Sequence, residues 1–159
     1  MRLSSGGRRR WYLGFSMRVA QMTIENYGAL MDLMTRTPEM RIREADSKEA
    51  IGKYLLRNPG LSFTAWDGEK LVGCAMCGHD GRRGYLQHVI VDANYRGQGI
   101  ANSLVTSCLN ALETLGILKT HIDVFTSNEI ANTYWLKRGW LKRDDVYRYS
   151  YNRSQNPNA

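Results

Sequence analysis

"YRGQGIA", Tyr95 to Ala101, sets two glycines two residues apart behind an arginine, between a strand-like run and a helix-like one. Glycine adopts backbone conformations closed to other residues and lets the chain come close to a ligand. A helix N-terminus offers free N–H groups and the positive end of the dipole. Together they make an anion site, to which Arg96 adds a charge. The plain alternative is an ordinary tight turn. Two nucleotide loops can be tested against the stretch. The Walker pattern G-x-x-x-x-G-K-[ST] is absent, and the dinucleotide pattern G-x-G-x-x-G needs glycine where Asn102 stands.

Working outward, "YLQHVIVD" before the turn reads as a strand, and a helix runs from about Gln98 to Leu115, ended by Gly116. Upstream, "SMRVAQM" (Ser16 to Met22) alternates like a strand. Thr23 can cap a helix over "IENYGALMDLMTR". A second helix follows in "DSKEAIGKYLLRNPG", with Asp46 as N-cap and Glu49 three residues on. "LSFTAW" and "EKLVGCAMCG", joined by Asp67-Gly68, form a hairpin. Downstream, "KTHIDVFT" is a strand, "NEIANTYWLKRGW" a short helix stopped by Gly139, and "DVYRYSY" a closing strand. The order β, α, α, β, β, β, α, β, α, β suits a mixed sheet with helices on its faces.

The length of 159 residues suits one core. Residues 1–16 read as a disordered basic leader, 17–152 as one domain and 153–159 as a flexible tail. The leader lacks the apolar run of a signal peptide, and no stretch is long enough to span a bilayer, so a cytoplasmic protein with no membrane partner is expected. Arg2, Arg8, Arg9 and Arg10 in the leader carry four of the charges behind the formal net charge of +7. Without a basic helix or a stripe of Lys/Arg among aromatics, nucleic acid is not the expected partner. Cys74 and Cys77 spell C-x-x-C inside a strand-like run, where residues three apart face opposite ways. With Cys108 they read as buried free thiols, and no metal is expected.

Arg96-Gly97-Gln98-Gly99-Ile100-Ala101 fits [QR]-x-x-G-x-[GA], after the strand "LQHVIVD" and ahead of Asn128 and "YWLKRGW". This combination resembles the GNAT superfamily of acyl-CoA-dependent N-acetyltransferases, over roughly Met17 to Tyr151. The resemblance implies an α/β (α+β) fold with a mixed, mostly antiparallel sheet flanked by helices on both faces. It implies acetyl-CoA as co-substrate. Arg96, Gly97, Gln98, Gly99, Ile100, Ala101 and Asn102 would hold the pyrophosphate. A bulged strand, here Val89, Ile90 and Val91, would bond the pantetheine arm through its backbone. Asn128 would contact the same arm. A homodimer is allowed for.

Acetyl transfer to an amine needs a proton acceptor, a donor to the carbonyl oxygen and a proton for the leaving thiolate. The resemblance assigns the oxygen donor to a backbone N–H near Val89 to Val91, and the thiolate's acid to a tyrosine four residues before Gly139. That position is Trp135, with Tyr134 beside it. Indole does not give up its proton near neutral pH, so Tyr134 is the candidate acid. Asp123, between Ile122 and Val124 in a predicted strand, is the candidate base, because burial would raise its pKa. In relatives with a glutamate base, that residue matches Asp123. Strict alternation puts Tyr85, Gln87 and Val89 on one face of their strand and Leu86, His88 and Ile90 on the other, so His88 is expected to point away as a hydrogen-bonded structural residue. The acceptor is a small-molecule or peptide amine. Arg41, Arg43, Arg82 and Arg83 favour one carrying a carboxylate. An acyl-CoA-binding module with little catalysis is the alternative that Trp135 would favour.

Overall fold

The computed structural model describes residues 17–159, and the expected leader lies outside them. In chain order the elements are β1 (Met17–Gln21), a 3-10 turn (Ile24–Asn26), α1 (Tyr27–Thr35), a second 3-10 turn (Glu44–Asp46), α2 (Lys48–Arg57), β2 (Phe63–Asp67), β3 (Lys70–His79), β4 (Gly84–Val91), a third turn (Ala93–Tyr95), α3 (Ile100–Thr114), β5 (Thr120–Ile122) and α4 (Glu129–Lys137). The strands form one sheet in the order β1-β2-β3-β4-β5. All neighbours run antiparallel except β4 and β5.

Helices cover both faces, as expected. Leu104, Cys108 and Leu112 recur at helical spacing on α3 and pack with Val72, Leu86 and Trp135 on one face. Leu30, Leu33 and Met34 of α1 and Ile51 of α2 pack with Cys74, Met76 and Ile90 on the other. Each such aliphatic side chain withdrawn from water stabilises the fold by roughly 1.5–3 kcal/mol. Cys74 and Cys77 lie in opposite layers, as strand periodicity required, and all three thiols are free and buried.

The register of β4 decides where the site falls. Cys74 pairs with Ile90 and Met76 with Gln87, so one residue of β3 faces two of β4. This is a β-bulge at His88 and Val89. His88 takes φ +49°, the one positive φ of a non-glycine residue among the described residues. That left-handed conformation costs an L-residue on the order of 1–2 kcal/mol. The extra residue breaks strict alternation. Leu86 belongs to the α3/α4 layer and Ile90 to the α1/α2 layer, so the expectation that they share a face is corrected.

Two further expectations change. Asp46 is not the cap of α2. Ser47, next along, caps it with its hydroxyl oxygen accepting from Ala50 N–H at 3.2 Å, while Asp46 is buried and engaged elsewhere. Both residue types cap helices, and here the neighbour holds the cap geometry. The expected closing strand "DVYRYSY" does not form. Tyr147, Tyr149 and Tyr151 are all about nine-tenths exposed, and the segment pairs with no strand of the sheet. Alternation makes a segment compatible with a strand but does not supply the ladder partner a strand requires.

Candidate active site

β5 pairs with β4 only from Gly84 to Leu86. Beyond Leu86 the two strands part, and a cleft of about 1400 Å³ opens between them. The bulge thus leaves the β4 edge at Val89, Ile90 and Val91 along the cleft, with no strand on that side. Backbone groups on such an edge are suited to an extended ligand added like a strand.

At one end of the cleft lies the glycine turn. Gly97 and Gly99 take φ +77° and +79°, and Gly99 is the left-handed residue that opens α3. A Cβ at either position would meet nothing within 4 Å. Glycine is therefore required for the backbone conformation, not for space. Of the expected cradle, Arg96, Gly97, Gly99, Ile100, Ala101 and Asn102 line the cleft, whereas Gln98 does not and is exposed. Ile100 also packs into the core, so its part in a cradle is limited to its backbone. Asn128 lines the cleft and caps α4, its Oδ1 accepting from Ala131 N–H at 3.1 Å. That leaves its Nδ2 hydrogens to point at a ligand.

Tyr134 and Trp135 both reach the cleft, in different ways. The Tyr134 hydroxyl donates to Asn102 Oδ1 at 2.6 Å, tying α4 to the first turn of α3. Burial pushes that hydroxyl above the ordinary tyrosine range, against the opposing pull of the nearby Arg138 guanidinium, so it holds its proton. Trp135 is buried and meets Trp140 edge-on, with ring centres 4.6 Å apart.

Asp123 does not have the burial expected of it. β5 ends at Ile122, and the Asp123 side chain is 69% exposed with Arg148 Nη2 at 2.6 Å from its Oδ2. Burial was to make this carboxylate basic, and that burial is absent. Asp123 does line the cleft, opposite the β4 edge.

His88 differs from expectation in the opposite sense. It is hydrogen-bonded, as anticipated, but it lines the cleft instead of turning away. Its Nε2 lies 2.6 Å from Oδ1 of Asp46, a carboxylate only 4% exposed. Asp46 Oδ2 accepts from Arg43 N–H at 2.8 Å, and the Asp46 carbonyl accepts from the Tyr27 hydroxyl at 2.8 Å. Burial opposes ionisation of Asp46, yet the bonds from His88 and the Arg43 backbone outweigh it and hold its pKa below the usual carboxylate range. Asp46 was hidden in the sequence by its place beside a helix start, which reads as a cap.

The segment after α4 crosses the same end of the cleft. Asn158 accepts from Glu44 N–H at 2.9 Å and from Arg43 Nη1 at 3.2 Å, and Asn156 Nδ2 donates to Glu44 Oε2 at 2.9 Å. Residues 153–159, expected as a flexible tail, thus lie against the turn that carries Asp46.

The model of the acetyltransferase (GNAT) family matches residues 27–140, most of the chain. The chain belongs to this family. It is an acyltransferase built on the GNAT fold. N-alpha-acetyltransferase 30 of Schizosaccharomyces pombe is 29% identical over 119 residues, which cover 69% of this chain and 79% of that protein. N-alpha-acetyltransferase MAK3 of Arabidopsis thaliana is 31% identical over 98 residues, 59% of this chain, and the match spans about half (52%) of that protein. Among solved structures, the PaiA N-acetyltransferase of Thermoplasma acidophilum, determined in complex with coenzyme A, superposes with a TM-score of 0.70 at 17% identity, covering 77% of this chain and 88% of that one. At that identity the likeness concerns the fold.

Proposed function

We propose that the protein transfers an acetyl group from acetyl-CoA directly to a primary amine, and that the acceptor is the free α-amino group of a peptide or protein. The observation that carries the reading is the pair of left-handed glycines at the start of α3, set beside the unpaired edge of β4. The exposed N–H groups of the turn suit a pyrophosphate, and the edge at Val89 to Val91 suits an extended amide-bearing arm. One of those edge N–H groups is suited to the thioester carbonyl oxygen. The Nδ2 of Asn128 is free for the same arm. Tyr134, which retains its proton, is the candidate donor to the departing thiolate.

Two relatives carry the name N-alpha-acetyltransferase, which favours an α-amine. The cleft itself disfavours a polycation, because Arg41, Arg43 and Arg138 line it in excess of the paired Arg96–Glu39 and Arg148–Asp123. A peptide carries one ammonium and backbone groups that such arginines can serve. Three free buried thiols fit a reducing, cytoplasmic setting.

The test is thiol release from acetyl-CoA by the purified chain against peptides with free or blocked N-termini, polyamines and aminoglycosides. Turnover that needs a free peptide N-terminus is the expected result. Turnover with polyamines alone would move the acceptor assignment, and no acceptor-dependent release at all would end the reading. Gly99→Ala reports on the cradle separately. It is expected to weaken acetyl-CoA binding about tenfold, as a left-handed cost on the order of 1–2 kcal/mol implies, in calorimetric titration.

A further inference from the structure

We propose that His88 accepts the proton of the acceptor amine and that buried Asp46 is its positioning partner. This rests on the amine-acetylation reading above. The sequence does not pair the two residues, which are 42 positions apart.

The geometry argues it in three steps. First, Asp46 braces its own turn with one oxygen only and presents the other to His88. It is a nearly inaccessible carboxylate whose two oxygens are divided between His88 Nε2 at 2.6 Å and Arg43 N–H at 2.8 Å. An isolated buried charge is costly, so a carboxylate placed there is retained for its partner. As an ionised acceptor it fixes Nε2 as the protonated nitrogen, which leaves the lone pair of the neutral ring on Nδ1. Second, Nδ1 has no hydrogen-bond partner among the described residues, and His88 is 21% exposed and lines the cleft. The available nitrogen is thus open to a ligand there. Third, His88 is the residue at the bulge that holds the strained left-handed backbone. Strain of this kind persists only where the surrounding fold imposes it. Here it sets the ring immediately before Val89, where the edge for the acyl arm begins. Asp123, by comparison, is exposed and neutralised by Arg148.

The step balances. The amine lone pair forms the bond to the thioester carbonyl carbon, and the carbon–sulfur bond breaks with its electron pair leaving on sulfur. The nitrogen's proton passes to His88 Nδ1, directly or through one water, and the resulting imidazolium is stabilised by Asp46. The sulfur takes up a proton, giving amide and thiol, and His88 returns its proton to solvent. No oxidant or reductant is needed.

Several groups bear on the ring. Asp46 and Arg43 approach from the turn before α2, Tyr27 from α1, and Cys74 from β3, with its thiol donating to the His88 carbonyl at 3.3 Å. Tyr85 of β4, His121 of β5 and Asp123 just after it line the same cleft. Burial pushes the Cys74 thiol up to about 12, so it stays neutral in the range of interest.

The experiment measures kcat and kcat/KM from pH 5 to 10 with the peptide acceptor found by the screen, using the full chain and the variants H88Q, D46N, D46E and H121Q. Acetyl-CoA affinity is measured alongside. In H88Q, kcat is expected to fall about 10²-fold or more, in line with loss of a general base, with acetyl-CoA binding little changed and the acid limb of the profile gone. D46N is expected to lower kcat less and shift that limb to lower pH, because the imidazolium loses its carboxylate. D46E is expected to restore the limb in part, and H121Q to leave its pH unmoved. An H88Q profile with the same limb and kcat within about threefold overturns the proposal while leaving amine acetylation intact. A wild type that acetylates no amine sinks both. If H88Q does not fold, the His88 ring titration followed by NMR in the wild type decides: a pKa that disagrees with the kinetic limb overturns the assignment.

Discussion

At the scale of single residues, the two adjacent aromatics of α4 separate cleanly. Trp135 is a core residue whose ring is fixed by Trp140, and Tyr134 carries the polar atom at the cleft. The sequence could not choose between them, because neighbours on a helix lie about 100° apart and the helix phase was unknown. Tyr134→Phe tests the role. If the hydroxyl protonates the thiolate, kcat falls roughly 10²-fold or more, while the dissociation constant of acetyl-CoA moves by about tenfold at most, since loss of a single hydrogen bond to Asn102 is worth about 0.5–1.5 kcal/mol. Steady-state kinetics paired with calorimetry measures both. A change confined to binding would make Tyr134 a brace for the cradle and leave the thiolate to solvent. His88 and Asp46 show the limit of single-residue reading from the other side. Their partnership depends on a bulge and on a turn 42 residues away, and no local pattern encodes either.

At the scale of elements, the cleft exists because β4 holds β5 at one end and releases it at the other. Gly84 is where it holds. A Cβ there would come within 2.5 Å of Leu112 Cδ1 on α3 and 2.8 Å of Thr120 Oγ1 on β5. Gly84→Ala is therefore expected to lower stability by about 1–3 kcal/mol through overpacking and to loosen the three-residue β4/β5 ladder. Urea unfolding gives the first quantity, and amide exchange at Tyr85 and Leu86 the second. Unchanged exchange would mean that α3 yields and the ladder does not. Most elements were legible from period and punctuation: the hairpin at Asp67-Gly68, the helix closed by Gly116 and the left-handed glycines before α3 all fall where turn chemistry put them. The segment at residues 145–151 was not, because strand formation depends on a neighbour. Face assignments on β4 held only up to Gln87, where the inserted residue reversed the alternation.

At the scale of the molecule, one buried carboxylate ties the turn after β4 to α1 and β3. Asp92, 6% exposed and just past β4, accepts from Asn94 N–H at 2.9 Å, and pairs with Arg36 just past α1 at 3.0 Å and with Lys70 of β3 at 3.8 Å. Burial works against its charge, but the Asn94 N–H and Arg36 outweigh it, so its folded pKa lies below its unfolded value. A depressed carboxylate stabilises the fold fully above the unfolded value of about 4, and that contribution is lost as pH falls through the folded pKa. Asp46 has the same sign. Stability is thus expected to decline below about pH 4, and Asp92→Asn to be less stable at neutral pH with a shallower acid decline. Denaturant midpoints from pH 2 to 7 give the slope. An equal slope in the variant would place the acid sensitivity elsewhere.

The C-terminal segment raises the last question at this scale: whether it walls the acceptor end or blocks it. Its ties are exposed hydrogen bonds, donated by Asn156 to Glu44 and accepted by Asn158 from Arg43 and Glu44, and Ala159 lines the cleft. Bonds of this sort contribute about 0.5–1.5 kcal/mol each at most, so the segment can leave at little cost. A peptide acceptor entering beside His88 would compete with it. Removal of residues 153–159 is then expected to lower the KM for the peptide about two- to tenfold, with kcat and acetyl-CoA affinity unchanged, because the cradle lies at the other end of the cleft. Had the segment served as a wall of the acceptor pocket, the same truncation would raise KM. Initial-rate kinetics of the truncated chain at saturating acetyl-CoA distinguishes the two by sign.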